Sequence, residues 1–555
     1  MSKISVSKYL AKFLTKRGVK NVFMLSGTGS IHLDDAFASE KGLSYVCARH
    51  EAAAVMMASA DSKLSNNLGV VIATTGPGGT NAIGGVAEAW VDSVPVLVIS
   101  GQVHSSQISP NVRSFGIQGF NVIENVKNIT NFAVQIKKPT QIKYILEKAI
   151  YFAFNKRPGP VWIDIPFDVQ SHLIDEKKLI GYKPKLQPKK ISKDLIKISN
   201  ILKLINRSSK PVIIFGQAIR SSDSIEIFKK VLNKLKIPAI SARMSTDILK
   251  QNNPYFFGMG GIRGSVYSHK ILKQSDLFIV IGSSFTHSFA GDNYDLSANK
   301  KIVIVNIDKN EIKKPNFNPS IKLNIDVKSF LSNFSKHTQK TKLKSFKTWI
   351  NKCNEIKIKN PIITNKFFKN PINSYFLIEC INKNSKRNTI FVSDAGSANY
   401  VASQALRIKE NQREITSGAF YSMGVALPMA IGAAKSNPKY QTIAITGDGS
   451  IELNIQELKT LSIHNLNVKL FIINNGGYAS IRKSQIEMTG GRFTDDDDVL
   501  NFMKIANAYD IKYSLIKDYK KMSTQIKTIL KNKKPEIIEV ICDYSQEIIE
   551  PFNVS

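Results

Sequence analysis

Runs of valine, isoleucine and leucine alternate with helix-length segments along most of the chain. Near-continuous apolar runs such as "LGVVIATTG" (68–76), "SVPVLVISG" (93–101) and "NTIFVSDAG" (388–396) end in turn residues and lead into helical stretches. Strands that are apolar on both sides are typical of parallel sheets that helices cover on both faces. The pattern therefore predicts an α/β protein built from doubly wound parallel sheets.

Two stretches interrupt this alternation and divide the chain of 555 residues, which is too long for a single core. Residues 168–195 are polar and basic and contain prolines, and residues 330–372 are rich in lysine and asparagine. Both are typical of connections between domains, and we expect the second to be partly helical. We therefore predict three α/β domains, at residues 1–167, 190–329 and 373–545.

Composition and charge exclude several classes of protein. The hydrophobic content is 43%, and no apolar run reaches the roughly 18 residues of a membrane-spanning helix, so no membrane partner is expected. The net charge of +34 comes from lysines spread along the chain without a zinc finger or basic-aromatic stripe, so nucleic-acid binding is not expected. Four widely spaced cysteines suit a reducing cytoplasm.

Residues 1–24 have the pattern of a helix, a turn and a strand, and we interpret them as part of a domain rather than a removable leader.

Polar residues end two neighbouring predicted strands in the last third of the chain. Asp448 stands between Gly447 and Gly449 after one strand, and Asn475 follows the next strand 27 residues later. The carboxyl ends of parallel strands meet at the sheet edge where ligands bind. A carboxylate, an amide oxygen and a backbone carbonyl suit Mg²⁺, and the glycines allow close approach of a diphosphate. "GDG" alone is more typical of an ordinary strand-to-helix turn, and it is the spacing to Asn475 that favours the metal site.

Several motifs together resemble the thiamine-diphosphate-dependent 2-oxo acid enzymes, among them the large catalytic subunits of acetolactate synthases and their sugar-modifying relatives. The resemblance is carried by "RHEAAAVMMASADS" (49–62), "ATTGPGG" (73–79), "SGAFYSMGVALPMAIGAA" (417–434) and "GDGSIELNIQELKTLSIHNLNVKLFIINN" (447–475), which follow the family's order. It implies a thiamine-diphosphate-dependent transferase or lyase that binds Mg²⁺. It also implies a pyrimidine-binding N-terminal domain, a central domain and a diphosphate-binding C-terminal domain.

The resemblance assigns roles to individual residues. Glu51 matches the carboxylate that hydrogen-bonds the aminopyrimidine ring of the cofactor, Met423 matches the bulky residue beneath the cofactor, and Gln118 matches a glutamine of the substrate pocket. These three form the implied catalytic group. The implied metal ligands and cofactor contacts are Asp448, Asn475 and the carbonyl of Gly477 for Mg²⁺, and Gly78, Gly79, Gly396, Ser397, Ala398, Tyr421, Met423, Gly447, Gly449 and Ser450 for the cofactor.

Three features depart from acetolactate synthases. The stretch "SFTHS" (284–288) has serines where that family has two arginines that pair with FAD. Two alternatives therefore stay open: the central domain binds FAD, or it has lost this ligand. The segments "SGTGSIHLDDAF" (26–37) and "NNGGYASIRKSQ" (474–485) look more like the sugar-modifying branch. In the second, Arg482 is a candidate for contact with an anionic acceptor, or an ordinary solvated arginine. We interpret the acidic run at 493–502 as a solvated loop rather than a metal site.

The predicted activity is that of a carboligase that decarboxylates a 2-oxo acid, with pyruvate as the expected substrate, and adds the two-carbon unit to a second carbonyl. The alternatives are transfer to a keto-sugar nucleotide, a simple decarboxylase and a non-catalytic nucleotide-binding relative. Related decarboxylases carry two adjacent histidines where this chain has only His104, and a non-catalytic relative would have lost Glu51, Asp448 or Asn475. The resemblance further implies an obligate homodimer or homotetramer whose sites form between chains. Whether a regulatory subunit also binds stays open.

Overall fold

The structure, a computed structural model, describes residues 3–109, 111–184, 194–491 and 499–553. Three six-stranded sheets follow one another along the chain, and every neighbouring pair of strands in them is parallel. This is the α/β architecture that the hydrophobic pattern predicts. The predicted acidic loop falls mostly on residues 492–498, which lie outside the described residues.

The N-terminal domain is built around the first sheet. Its strands are β1 (Ile4–Ser5), β2 (Asn21–Met24), β3 (Ser44–Cys47), β4 (Gly69–Ala73), β5 (Val96–Gln102), β6 (Phe132–Gln135), β7 (Val161–Pro166) and β8 (Leu173–Ile174). The sheet has the order β3-β2-β4-β5-β7-β6, and β1 pairs with β8 beside it. The helices are α1 (Val6–Lys16), α2 (Ile31–Ser39), α3 (Glu51–Ser65), α4 (Pro77–Val91), α5 (Val122–Val126), α6 (Ile142–Phe154) and α7 (Phe167–Ser171).

The central domain is built around the second sheet. Its strands are β9 (Pro211–Phe215), β10 (Ala239–Ser241), β11 (Phe256–Met259), β12 (Leu277–Ile281), β13 (Lys301–Asn306) and β14 (Ile321–Asn324). They stand in the order β11-β10-β9-β12-β13-β14. The helices are α8 (Asp194–Arg207), α9 (Ala218–Ser221), α10 (Ile225–Leu235), α11 (Val266–Gln274), α12 (His287–Ala290), α13 (Lys309–Ile312), α14 (Val327–Lys340) and α15 (Lys347–Lys359).

The C-terminal domain is built around the third sheet. Its strands are β15 (Thr389–Ser393), β16 (Arg413–Thr416), β17 (Gln441–Gly447), β18 (Val468–Asn474), β19 (Lys512–Ile516) and β20 (Glu536–Ile541), in the order β16-β15-β17-β18-β20-β19. The helices are α16 (Ser374–Asn384), α17 (Gly396–Ala405), α18 (Ala426–Ser436), α19 (Asp448–Ile451), α20 (Glu457–Ile463), α21 (Ala479–Thr489), α22 (Phe502–Ala508) and α23 (Tyr519–Ile529). Strands β15, β17 and β18 are neighbours, so the loops that follow them share one sheet edge.

The N-terminal and C-terminal domains pack on each other through α3 and α18. A β-carbon built on Gly432 in α18 would lie 2.2 Å from the carbonyl oxygen of Met57 in α3, so the two helix backbones are in close contact. Side chains of both helices, including Val55 and Met429, share one apolar core. Because α3 begins at Glu51, this packing holds the start of α3 in a defined position relative to the C-terminal domain.

The stretch at 330–372 packs on the central domain. Helix α15 lies within it, so the stretch is partly helical as predicted, and the helix buries Trp349, Cys353 and Ile356 in the central core. All four cysteines of the chain are free thiols. Among the described ranges, no helix combines the length and the apolar content needed to cross a membrane.

Candidate active site

Glu51 is a buried carboxylate at the first position of α3, with 2% of its surface exposed. Its Oε2 accepts a hydrogen bond of 3.0 Å from the side-chain amide of Asn81 in α4. A β-carbon built on Gly78 would lie 3.2 Å from Oε1 of Glu51, so the glycine leaves this second oxygen accessible to a ligand. A buried carboxylate with one oxygen that accepts no hydrogen bond from the described residues is suited to share a proton with a ligand nitrogen.

Glu457 fixes the position of Glu51 from the other domain. Its Oε1 accepts hydrogen bonds from the backbone N–H groups of Arg49 (2.8 Å) and His50 (3.1 Å), the two residues before Glu51. Glu457 is itself fully buried, and burial raises the pKa of its carboxyl. The sequence analysis missed this residue, because a lone glutamate in an amphipathic helix is normally a solvated side chain.

The glycine-rich turn before α4 brings Gln118 to the same region. Gly76 has φ +62°, and a β-carbon built on it would lie 2.4 Å from the carbonyl oxygen of Gln118. The Gln118 side chain is exposed. Gly79 faces the apolar core instead, where a β-carbon would lie 3.2 Å from Cγ2 of Val122. Of the two predicted glycines, Gly78 is therefore the one beside Glu51, while the small size of Gly79 allows α4 to pack.

Asp448 organises the loop after β18. It is buried, and its Oδ2 accepts hydrogen bonds of 3.0 Å from the backbone N–H groups of both Asn475 and Gly477. Its Oδ1 accepts a bond of 2.9 Å from the N–H of Gly449. Burial raises the pKa of the Asp448 carboxyl, and the backbone hydrogen bonds from Gly477 and its neighbours oppose that rise. The predicted metal ligands Asp448, Asn475 and Gly477 thus lie together.

Arg482 holds the same loop from its other side. Its guanidinium donates hydrogen bonds to the carbonyl oxygens of Gly476 (2.7 Å), Asn475 (3.1 Å) and Tyr544 (3.2 Å) and lies 3.6 Å from the centre of the Tyr544 ring. The side chain is buried. The prediction that Arg482 faces an anionic acceptor or solvent is therefore wrong, because loop carbonyls of the C-terminal domain surround the guanidinium.

Helix N-termini and glycines lie at the sheet edge that contains Asp448. Helix α17 begins at Gly396, which has φ +61°, and α21 begins one residue before Ser480, whose Oγ is 3.9 Å from a β-carbon built on Gly396. A β-carbon on Gly447 would meet nothing closer than 4.0 Å. Helix N-termini attract anions. The predicted residues Ser397, Ala398 and Ser450 belong to the first turns of α17 and α19.

These residues suit a diphosphate bound together with Mg²⁺. In the described part of the chain, no group of three or more His, Cys, Asp or Glu side chains is able to hold a metal ion. A metal at Asp448 would therefore depend on neutral oxygens and on the ligand's own phosphate oxygens, which Mg²⁺ accepts. The side-chain amide of Asn475 makes no hydrogen bond with any described residue, so its oxygen is available. The Gly477 carbonyl accepts one bond of 2.9 Å from Ala479 and keeps a second lone pair.

Asp394 positions the segment that contains Tyr421 and Met423. This fully buried carboxylate at the end of β15 accepts hydrogen bonds from the N–H groups of Gly424 (2.9 Å) and Ala426 (3.0 Å). Met423 is half-buried, as is Tyr421, which has φ +54°. The sequence analysis missed Asp394, although its place directly after a buried strand is the same signal that identified Asp448.

A buried cluster of charged side chains on the N-terminal domain binds the chain just before the segment that contains Tyr421 and Met423. Both oxygens of Asp92 accept hydrogen bonds of 3.0 Å from the N–H of Gly418, and Lys63 bonds Asp92 (2.8 Å) and the carbonyl of Thr416 (2.7 Å). Glu88 lies beside this pair and next to Ser422, with 2% of its surface exposed. Burial raises the pKa of Glu88 to about 7, which the charge of Lys63 opposes and that of Asp92 reinforces.

Glu88→Gln is expected to change how stability depends on pH. The pKa of Glu88 rises from its ordinary value of 4.5 to about 7 on folding, so its contribution to stability is present below about pH 4.5 and is lost as the pH rises through 7. Glutamine stays neutral throughout. The unfolding free energy of Glu88→Gln relative to the wild type should therefore increase between pH 5 and pH 8, by up to about 3 kcal/mol at about 1.4 kcal/mol per pKa unit.

Chemical denaturation at both pH values measures this difference. Glu124→Gln, which neutralises an exposed carboxylate of the same domain, is the control and should show no such trend. An unfolding free energy of Glu88→Gln that runs parallel to the wild type at all pH values would show that Glu88 does not titrate in this range.

Residues 284–288, where the resemblance would place two FAD-binding arginines, contain none. Ser284 is half-buried, Ser288 is exposed, and Phe285 between them is packed against Tyr294 and Phe317. Lys314 donates a hydrogen bond to the carbonyl of Ser284. Hydroxyls and one lysine do not supply the paired planar donors of two arginines. The flavin absorbance of the purified protein distinguishes FAD binding from a central domain without this ligand.

Comparison with protein-family models finds three matches in the order of the three sheets. Residues 4–125 match "Thiamine pyrophosphate enzyme, N-terminal TPP binding domain", residues 198–334 match "Thiamine pyrophosphate enzyme, central domain", and residues 394–540 match "Thiamine pyrophosphate enzyme, C-terminal TPP binding domain". Thiamine pyrophosphate is the same compound as thiamine diphosphate. Most strands of the first sheet and of the third sheet therefore lie in regions similar to domains named for binding this cofactor.

Curated relatives match nearly the whole chain. The acetolactate synthase large subunit of Lactococcus lactis is 30% identical over 551 residues, which is 98% of this chain and 94% of that protein. The chloroplastic acetolactate synthase of Arabidopsis thaliana is 29% identical over 560 residues, which is 97% of this chain and 82% of that protein. The probable acetolactate synthase large subunit of Methanocaldococcus jannaschii is 29% identical over 560 residues, covering 97% and 92% of the two chains.

Proposed function

Because this chain belongs to the thiamine pyrophosphate enzyme family and is a thiamine-diphosphate-dependent enzyme, we propose that it is a carboligase. It decarboxylates a 2-oxo acid, with pyruvate as the first candidate, and joins the two-carbon unit to a second carbonyl. Its relatives with matching length are named acetolactate synthases, which supports this reaction class. The observation that carries the proposal is the accessible oxygen of the buried Glu51 beside Gly78.

Glu51 acts as the proton-sharing group in this proposal. Asn81 orients one oxygen of the carboxylate, and Glu457 fixes the backbone on which the carboxylate stands. The other oxygen would accept or donate a hydrogen bond at a nitrogen of the cofactor's pyrimidine and would share a proton with it. Thiamine diphosphate, when bound, supplies the carbon nucleophile and the electron sink for decarboxylation. Burial of Glu51 excludes water, which would compete for the shared proton.

Asp448, Asn475 and the Gly477 carbonyl hold Mg²⁺ in this proposal, and the first turns of α17 and α19 contact the diphosphate. Met423 and Tyr421 shape the surface beneath the pyrimidine, and Asp394 keeps their segment in place. Gln118 lines the substrate pocket next to the glycine-rich turn. Each of these groups positions a bound molecule, so the chain contributes geometry and electrostatics to the reaction.

We further propose that each active site forms between two chains. The hydrogen bond to the Glu51 carboxylate comes from the N-terminal domain, and those to Asp448 come from the C-terminal domain. Large apolar side chains are exposed near both halves of the site: Phe115 (63%) and Ile117 (92%) beside Gln118, and Phe420 (47%) and Leu453 (50%) in the C-terminal domain. Exposed apolar side chains of this size support burial against a second copy.

The carboligase is favoured over a simple decarboxylase by the surroundings of His104. This histidine is exposed, and its Nδ1 lies 2.9 Å from the hydroxyl of Ser106, two residues away. The residues that follow it are serines, so the histidine pair that the resemblance associates with decarboxylases is absent from the sequence. The segment after β5 therefore lacks the second imidazole that would protonate a product to release aldehyde.

Product analysis of a pyruvate reaction tests the proposal. The purified protein is incubated with pyruvate, thiamine diphosphate and Mg²⁺, and CO₂, acetolactate and acetaldehyde are measured in the same tube. We expect CO₂ release that depends on the cofactor, with acetolactate as the product. Acetaldehyde alone would identify a decarboxylase. CO₂ release that begins only when a keto-sugar nucleotide is added would identify the sugar-modifying alternative, and no CO₂ from any 2-oxo acid would contradict the proposal.

A further inference from the structure

A cavity of about 230 Å³ lies between the central and C-terminal domains. Its lining includes Phe256 and Tyr267 of the central domain, Lys357 of α15, Ser403 of α17, and Arg407, which follows the end of α17. None of the residues of the candidate active site lines it. The volume is below the roughly 300–1,000 Å³ of sites for drug-sized ligands, so it suits a smaller molecule, and it exceeds the space that a few waters fill.

The cavity is cationic. None of its lining residues is acidic, while Lys357 and Arg407 both face Tyr267. The ammonium of Lys357 lies 5.8 Å from the centre of the Tyr267 ring and 5.7 Å from that of Phe257. Among the described residues Lys357 has no carboxylate partner, and its ammonium is held by a long hydrogen bond of 3.4 Å to the carbonyl of Phe256. Burial lowers the pKa of Lys357, so its charge is costly without a counter-ion.

Arg407 has a partner on one side. It pairs with Glu379, which does not line the cavity, and burial lowers the pKa of its guanidinium. On the side that faces the cavity, the guanidinium meets no second carboxylate, because no lining residue is acidic. The Arg407 side chain keeps 44% of its surface exposed and is already paired, so Lys357 is the cation whose charge an anion from outside would compensate, and Arg407 offers a second donor on the same wall.

The rest of the lining determines what kind of anion fits. Apolar side chains cover a large part of the wall, with hydroxyl groups between them; the apolar ones include Phe256, Met259, Ile362, Leu406 and Ile408. Inorganic phosphate would leave this wall in contact with water. We propose that the cavity binds a small organic anion, a carboxylate or a phosphate ester, whose charged end meets Lys357 and Arg407 and whose flat or branched apolar part packs on this wall.

Calorimetric titration with phenyl phosphate tests this site. The probe combines an aromatic ring with a dianion, and it is titrated into the full chain saturated with thiamine diphosphate and Mg²⁺, so that a diphosphate site cannot take it up. We expect saturable binding of phenyl phosphate and none of benzyl alcohol, which has the ring without the charge. Absence of phenyl phosphate binding, or equal binding of the neutral alcohol, would overturn the proposal.

Two lysines of α15 provide a matched pair of variants. Lys357→Met keeps the aliphatic part of the side chain and removes the charge, and should weaken phenyl phosphate binding by about tenfold or more, equivalent to ~1.4 kcal/mol. Lys352→Met removes the same charge from an exposed position of the same helix, where Lys352 pairs with Glu355, and should leave binding unchanged. Equal affinities of Lys357→Met and wild type would contradict the assignment.

A labelling measurement on the unaltered chain gives an independent readout. Acetic anhydride acylates neutral lysine amines, and mass spectrometry resolves the modification of Lys357 from that of Lys352. We expect phenyl phosphate to protect Lys357 and leave Lys352 equally reactive. Protection of neither lysine at a saturating probe concentration would show that the anion binds elsewhere.

Discussion

Replacing Glu51 with glutamine is expected to lower kcat by about 10²–10⁴-fold, the usual contribution of a positioned acid–base group. Glutamine has nearly the same shape and still meets Asn81, but it cannot share a proton with a ligand nitrogen. The C-terminal groups around Asp448 are unchanged, so thiamine diphosphate should bind within a few-fold of its wild-type affinity. The measurement is kcat at saturating 2-oxo acid, together with cofactor affinity by calorimetry.

Glu124→Gln is the matched control for this prediction. It makes the same chemical change at an exposed position of the same domain, where Glu124 pairs with Lys127, and should keep wild-type kcat. Retention of full activity by Glu51→Gln would show that the buried carboxylate plays no part in the chemistry. A variant that instead loses cofactor binding entirely would assign Glu51 a binding role rather than a catalytic one.

Asp448→Asn is expected to weaken Mg²⁺-dependent cofactor binding by about 100-fold or more, because losing even an outer partner of a metal ligand typically costs 10–100-fold. The asparagine removes the negative charge and turns one acceptor toward the N–H groups of Asn475 and Gly477 into a donor. Thermal unfolding measures the effect. Thiamine diphosphate with Mg²⁺ should raise the Tm of the wild type and leave that of the variant unchanged at the same concentrations.

Asp510→Asn is the control for Asp448→Asn. Asp510 is exposed and has φ +54°, a backbone conformation that asparagine adopts readily, so this variant should keep the full cofactor-induced rise in Tm. An Asp448→Asn variant that shows the same rise as the wild type would contradict the assignment of Asp448 as a metal ligand.

The parts of the site that sequence reasoning identified are local in the chain. Asp448 and Asn475 each follow a buried strand, and neighbouring parallel strands bring their ends together without any long-range information. The same holds for the three sheets, whose strands are continuous apolar runs. Glu51 and Gly78 were located through motifs, and their adjacency arises because α3 and α4 pack side by side.

The residues that sequence reasoning missed depend on contacts between distant segments. Glu457 reaches the backbone of Arg49 over 408 residues, and no periodicity in either helix indicates that contact. Glu88 has the position of an ordinary polar side chain in α4, and it is buried beside Lys63, Asp92 and the distant residue Ser422. Arg482 was predicted to face ligand or solvent, and only the folded loop supplies the carbonyl groups that bind it.

Mixing two inactive variants tests most directly whether the active site forms between chains. Glu51→Gln and Asp448→Asn subunits are each expected to be inactive as homodimers. If Glu51 of one chain faces Asp448 of its partner, every mixed dimer contains one site with both native residues, and unfolding and refolding the two variants together in equal amounts should restore about a quarter of wild-type activity. If both residues serve the same site within one chain, every mixed dimer contains two defective sites. A mixture that forms mixed dimers and stays inactive would therefore contradict the account.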